Sequence, residues 1–243
     1  MKSFVSKLPD VGTTIFSVMT KMALDHDAIN LSQGYPDFSV PSALIERLHH
    51  YALAGENQYP PMQGIAYLRE QIAVKVQQSY GVQLDHEMEI TVTSGATEAL
   101  FVAVQVLVHP GDEVIVFDPA YDAYDPAIRL AGGVTRHIPL TDREFKIDWQ
   151  RVRETINHRT RAIIINSPHN PTGTTLDLND LSNLSDLVQS HDLYVISDEV
   201  YEHMVYGDHT HHSLVGNDLL RQRSFVVSSF GKTYHATGWK VGY

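Results

Sequence analysis

Two textures of apolar spacing divide the chain. Over the first third the apolar positions recur at helical intervals. Leu44, Leu48, Tyr51 and Ala52 share a face behind Pro41, with Gly55 as a stop, and Ile65, Leu68, Ile72 and Val76 form a second stripe ending near Gly81. From residue 89 onward short β-branched runs alternate with helical patterns, which predicts βαβ units and a largely parallel sheet. The predicted strands are residues 89–93, 113–117, 161–166, 193–197 and 224–228. Leu100, Val104, Leu107 and Val108 mark one intervening helix, and Leu181, Leu184, Leu187 and Val188 another. Ile163 to Ile165 and Phe225 to Val227 are unbroken apolar runs, as strands buried on both faces require. Residues 1–40, with Gly12, Gly34 and Pro36 and few periodic positions, read as an irregular arm, and 41–243 as one α/β domain. No internal repeat is visible.

Composition narrows the functions open to such a domain. With 43% hydrophobic and 19% charged residues, 243 residues suffice for one large core. The 18 Lys plus Arg against 29 Asp plus Glu give a formal charge of -11, so nucleic acid and anionic membranes are unexpected partners. The lack of cysteine excludes a disulfide framework and a thiol nucleophile. Lys2 and Lys7 precede no apolar stretch of signal-peptide length, and no run approaches the roughly 20 apolar residues of a membrane span. The expected compartment is the cytoplasm.

In open α/β sheets ligands bind beyond the carboxyl ends of the strands, and here those ends are polar. Ser94-Gly95-Ala96-Thr97 joins a predicted strand to a helix, so free N–H groups and the helix dipole suit a phosphate; an ordinary N-cap is the alternative. Asp198 ends an apolar strand, where a carboxylate calls for a cationic or hydrogen-bonding partner, unless it merely caps the next helix. Tyr201 lies three positions on. Asn170, between His169 and Pro171, offers a neutral amide or an Asx turn, and Tyr121 a flat ring for stacking or for the core. Lys232 follows Ser229 and Gly231 at a strand end, where apolar walls would ease loss of its proton, although a lysine met alone in such a turn reads first as a surface residue. Gly231-Lys232-Thr233 is not the end of a P-loop, because its leading glycine would fall at Val226. His203, His209, His211 and His212 cluster in sequence, but the Gly207-Asp208 turn among them reads as a solvated loop and not a metal site.

Taken in order, these segments resemble the class I/II pyridoxal-phosphate (PLP) aminotransferases of fold type I, most closely the methionine aminotransferase and kynurenine–glutamine transaminase branch. The resemblance runs through Asn30-Leu31-Ser32-Gln33-Gly34-Tyr35-Pro36-Asp37-Phe38, Gln58-Tyr59, Ser94 to Leu100, Ser167-Pro168-His169-Asn170-Pro171-Thr172-Gly173, Ser197-Asp198-Glu199-Val200-Tyr201-Glu202 and Ser228 to Gly242. It implies a three-layer α/β/α large domain preceded by the arm. It implies that Lys232 carries the cofactor as a Schiff base and then moves the substrate proton, with Asp198 on the pyridine nitrogen and Tyr201 and Asn170 on the phenolate oxygen. Tyr121 would stack on the ring, and Gly95, Ala96, Thr97, Ser229 and Lys240 would hold the phosphate, Lys240 standing where many relatives have arginine. Gly34, Tyr35 and Asn170 would border the substrate, and Tyr59 would reach the phosphate of a second subunit, hence a homodimer with shared sites. The implied partners are an amino acid and a 2-oxo acid.

Family members also continue through a C-terminal small domain, with an arginine for the substrate carboxylate. The chain therefore reads as a C-terminally truncated fragment, expected to turn over poorly or not at all by itself. Two other functions share these cofactor parts: a C–S β-lyase on the same scaffold, and a PLP-binding module without turnover.

Overall fold

Four of the five predicted strands form and pair side by side. The computed structural model describes residues 5–34 and 38–243. Its elements are α1 (Ile15–Asp25), α2 (Ser42–Leu53), α3 (Ala66–Tyr80), α4 (Ala96–Leu107), β1 (Glu113–Asp118), α5 (Tyr124–Leu130), β2 (Val134–Pro139), α6 (Trp149–Thr155), β3 (Thr160–Asn166), α7 (Leu178–His191), β4 (Tyr194–Asp198), α8 (Asp218–Gln222), β5 (Ser224–Val227) and α9 (Phe230–Thr233), with 3-10 turns at Leu214–Gly216 and Thr237–Trp239. The sheet runs β2-β1-β3-β4-β5 with every neighbouring pair parallel.

Because successive side chains point to opposite faces of a strand, β3 feeds two cores at once. Ile163 and Ile165 pack with Ile115, Trp149, Leu181, Leu184 and Leu214 on one side, while Ile164 packs with Val114, Val116, Leu100, Val104 and Ile128 on the other. Burial of each such side chain stabilises by on the order of 2 kcal/mol. This is the α/β/α layering expected. At the amino end of β1, Glu113 is buried and accepts hydrogen bonds from Arg136 Nε at 2.8 Å and Asn157 Nδ2 at 2.9 Å, with Arg159 Nη2 2.7 Å away.

Three local expectations differ from what forms. Residues 89–93 are not a strand: Glu89 N–H folds back on the Asp85 carbonyl and Val92 N–H on that of Gln63, so only Thr93 is left to make a bridge, antiparallel to Gly242. The edge strand β2 was not foreseen, because Ile138 is its only buried residue and Thr135, Arg136 and His137 break any apolar run. Residues 1–40 are not irregular throughout, since Thr14 caps α1 by accepting the Ser17 N–H. Neither α1 nor α2 buries a residue, so the expected stripe on α2 forms and lies open, Leu48 at 54% and Tyr51 at 53% exposure. Among the described residues no helix is long and apolar enough to cross a membrane.

Candidate active site

The carboxyl ends of the strands, the start of α4 and one side of α1 enclose a cavity of about 1080 Å³. Gly34, Gly95, Ala96, Thr97, Tyr121, Asn170, Asp198, Tyr201, Ser229, Lys232 and Lys240 all line it. These positions lie as much as 206 residues apart in sequence (34 to 240) and meet because parallel strands deliver every βα turn to the same rim. Tyr59 is 98% exposed and does not line the cavity. Tyr35 lies outside the described residues. A second cavity of about 370 Å³ shares Tyr121 and Asn166 as a wall but is lined by neither Lys232 nor Asp198.

Asp198 ends β4 beside Asn166 of β3 and is buried. Its Oδ2 accepts from the Tyr124 hydroxyl at 2.6 Å and its Oδ1 from the Val200 N–H at 3.3 Å, and among the described residues no cation bonds it. Burial pushes its pKa up to about 6, against the lowering effect of those two donors. Tyr124 is therefore a site residue that the strand-end reading passed over. Its signal was the spacing from Tyr121, three residues on and so on the same side of the chain as α5 begins; the two rings meet edge-on at 5.7 Å.

Lys232 sits in the single turn of α9, its Nζ 5.4 Å from the centre of the Tyr201 ring. Burial lowers its proton affinity below the ordinary lysine value, with the Asp198 charge opposing. Asn170 Nδ2 donates to the Tyr201 hydroxyl at 3.3 Å, and Asn170 N–H is held by Asn166 Oδ1 at 2.9 Å. His169 braces this loop by bonding Pro119 O at 3.0 Å through Nε2 and the Thr172 hydroxyl through Nδ1. Burial lowers the His169 proton affinity, in keeping with a neutral brace.

At the opposite side of the cavity Gly95, at φ 81°, turns the chain into α4, whose first-turn N–H groups have no intrahelical acceptors. The strand-like return of residues 240–243 packs against this turn so closely that a Cβ on Gly242 would lie 2.5 Å from the Ala96 nitrogen. Lys240 adopts a left-handed conformation, φ 56°, and lays its Cε beside Gly95. Free N–H groups, the Thr97 and Ser229 hydroxyls and one ammonium thus ring a concavity suited to a phosphate. A cradle for a phosphate, a buried carboxylate that no described cation bonds, and an amine of lowered proton affinity in one cavity fit a phosphorylated pyridinium aldehyde. His203, His209, His211 and His212 gather no such site: among the described residues no three potential ligands are grouped for a metal, and His211 bonds Glu199.

A lysine and a buried aspartate lining one cavity beyond the carboxyl ends of a parallel sheet, beside a helix N-terminus, define a class, and the chain belongs to it: the family of class I and II aminotransferases, whose model matches residues 26–243. It is 52% identical over 238 residues to the methionine aminotransferase of Escherichia coli, covering 98% of this chain and 62% of that protein. It is 37% identical over 248 residues to kynurenine–oxoglutarate transaminase 3 of Mus musculus, covering 98% and 54%. The crystal structure of an Escherichia coli protein with methionine aminotransferase function superposes with a TM-score of 0.96 at 50% identity, covering all of this chain and 63% of the other. Aspartate aminotransferase of Thermus thermophilus superposes with a TM-score of 0.91 at 33% identity, covering 100% and 64%. The chain thus spans about 62% of the length of the first of these curated relatives.

Proposed function

We propose that the protein is a PLP-dependent aminotransferase of the cytoplasm that moves an amino group between a large neutral amino acid, methionine or an aromatic one, and a 2-oxo acid. The observation that carries this reading is the cavity shared by Lys232 and the buried Asp198 carboxylate, which no cation bonds among the described residues. When bound, PLP supplies an aldehyde that accepts the amine and a ring that draws electrons from the substrate Cα. Asp198 holds a proton on the ring nitrogen, and the Tyr124 hydroxyl fixes the carboxylate for that task. Tyr201 and Asn170 orient the phenolate oxygen, Tyr121 covers a ring face, and Ala96, Thr97, Ser229 and Lys240 bind the phosphate. Lys232, its amine poised by burial to lose a proton, takes the proton from the substrate Cα.

The substrate class rests on the similarity to the methionine and kynurenine transaminases, and the lining charges are in keeping with it. Apart from Asp198, Lys232 and Lys240, the cavity carries Lys21 and Asp25, which pair with each other at 2.7 Å, and Asp122. Among the described residues this leaves no free cation for a second substrate carboxylate, while Phe16, Leu24 and Leu100 offer apolar wall. Gly34 would meet the α-carboxylate and Tyr35 the side chain, and Tyr59 would reach the phosphate of a second subunit in a homodimer.

The test is an assay of the full-length protein with methionine and a 2-oxo acid. Formation of the keto acid of methionine, dependent on the acceptor, is expected. Ammonia and a 2-oxo acid released without an acceptor would mean β-elimination, and a cofactor spectrum that never responds to amino acids would mean binding alone.

A further inference from the structure

The motif that carries Asp198 and Tyr201 also carries two glutamates that the mechanism does not use. Both are buried. Glu199 accepts from the Ser197 hydroxyl at 2.8 Å, the Leu214 N–H at 3.0 Å and, on its other oxygen, His211 Nε2 at 3.0 Å. Glu202 accepts from the Tyr80 hydroxyl at 2.6 Å and the Ser228 hydroxyl at 3.0 Å, and pairs with Lys75. Between them Tyr201 rides a single turn, closed by Glu202 N–H on the Glu199 carbonyl at 2.9 Å and Met204 N–H on that of Tyr201 at 2.7 Å.

A buried carboxylate is tolerated only when its lone pairs are met, so each glutamate ties its end of the turn to wherever its donors stand. For Glu199 that is the segment before the Leu214–Gly216 turn. For Glu202 it is α3, through Lys75 and Tyr80, and the end of β5, through Ser228. Ser228 in turn pairs by backbone with Tyr243, at 2.9 and 3.0 Å, and Lys75 donates to the Tyr243 hydroxyl at 3.2 Å. The groups facing Glu202 are thus Lys75, Tyr80, Tyr243 and, at 3.9 Å, His203. Burial opposes its ionisation, but the Lys75 charge and the hydrogen bonds of Lys75 and Tyr80 outweigh it and keep Glu202 a carboxylate.

We propose that Glu202, with Glu199 as second anchor, is a positioning residue that clamps the 200–203 turn and so sets where the Tyr201 hydroxyl stands relative to Lys232 and Asn170. The inference rests on the reading of Tyr201 as a donor to the cofactor phenolate. A glutamate that only stabilised the fold would leave the Tyr201 hydroxyl where it is.

Two measurements on the full-length protein separate the cases. In cofactor-free protein labelled with 3-fluorotyrosine, the Tyr201 fluorine resonance, assigned by its loss in Tyr201→Phe, should shift or broaden in Glu202→Gln. With PLP bound, the pH midpoint of the visible band should move in Glu202→Gln in the same direction as in Tyr201→Phe. The double variant should then lie within about 0.3 pH units of Tyr201→Phe alone, because residues acting through one another are not additive. Ser228→Ala, which removes a single donor, should give a smaller change in the same direction, and serves where Glu202→Gln does not fold. An unmoved fluorine resonance, or midpoint shifts that add, would overturn the clamp. If no visible band forms in the parent protein, the cofactor reading fails and the fluorine measurement still decides this one.

Discussion

Glu113 and Asp198 are both buried carboxylates of the same sheet, at opposite ends. Glu113, at the amino end of β1, is met by Arg136, Arg159 and Asn157, and its pKa is held down at about 2, chiefly by the Arg136 hydrogen bonds. Asp198, at the carboxyl end of β4, has one phenol and one amide for company, and burial drives its pKa up to about 6. The first group is satisfied within the fold and has nothing left to offer a ligand. The second is left in deficit, and a cation delivered by a ligand would make it good. An uncompensated charge in a cavity is therefore the better mark of function than a buried charge as such.

The largest effect that would break this contrast is in turnover. Asp198→Ala should cost about a thousandfold in the rate of transamination, because the ring nitrogen loses the carboxylate that holds its proton. The rate of keto-acid formation checks it. Next is the stability of the cofactor-free protein against pH. Asp198 binds its proton more tightly folded, near 6, than unfolded, near 3.8, so the cost is absent below about pH 4, grows as pH rises from 4 to 6, and is complete above. From this, Asp198→Asn should stabilise the cofactor-free protein by up to about 3 kcal/mol at pH 8 and by almost nothing at pH 4, read by chemical denaturation.

Smaller changes sharpen the comparison. Glu113→Gln should do the reverse of Asp198→Asn, destabilising by about 1–2 kcal/mol while leaving cofactor affinity unchanged, as thermal melting and a PLP titration would report. Tyr124→Phe should weaken cofactor binding about tenfold, the worth of one hydrogen bond to a charged group, and cost about 1–3 kcal/mol of stability at neutral pH by leaving the buried carboxylate short of a donor. Lys240→Arg should alter PLP affinity least, tightening it a few-fold at most through a bidentate fork on the phosphate.

What the sequence disclosed follows from how each feature is encoded. Strands β1, β3, β4 and β5 were legible because three or more apolar residues run together in each. Strand β2 was not, since an edge strand needs only Ile138 to face a core and its polar neighbours erase the pattern. The run at 89–93 has strand-like residues, but its backbone groups are claimed by Asp85 and Gln63, partners that no local pattern announces. At the site, position after a predicted strand marked Tyr121, Asn170, Asp198, Tyr201 and Lys232 as candidates, because a parallel sheet brings its βα turns to one rim, and the resemblance to a family added Gly34 and Lys240. Tyr124 and Glu202 escaped that filter for opposite reasons. Tyr124 reads as a core aromatic and acts through its hydroxyl on Asp198. Glu202 reads as a surface charge, yet its partners Lys75 and Tyr80 lie more than 120 residues earlier, and only the folded chain brings them to it.

The reading of the site turns on one nitrogen atom, Lys232 Nζ. The protein incubated with PLP, reduced with borohydride and digested should carry the added mass of the reduced cofactor on the peptide containing Lys232, and Lys232→Ala should abolish both that mass and the visible band. A modified lysine elsewhere in the chain, or an unmodified Lys232 in protein that retains the colour, would contradict the account.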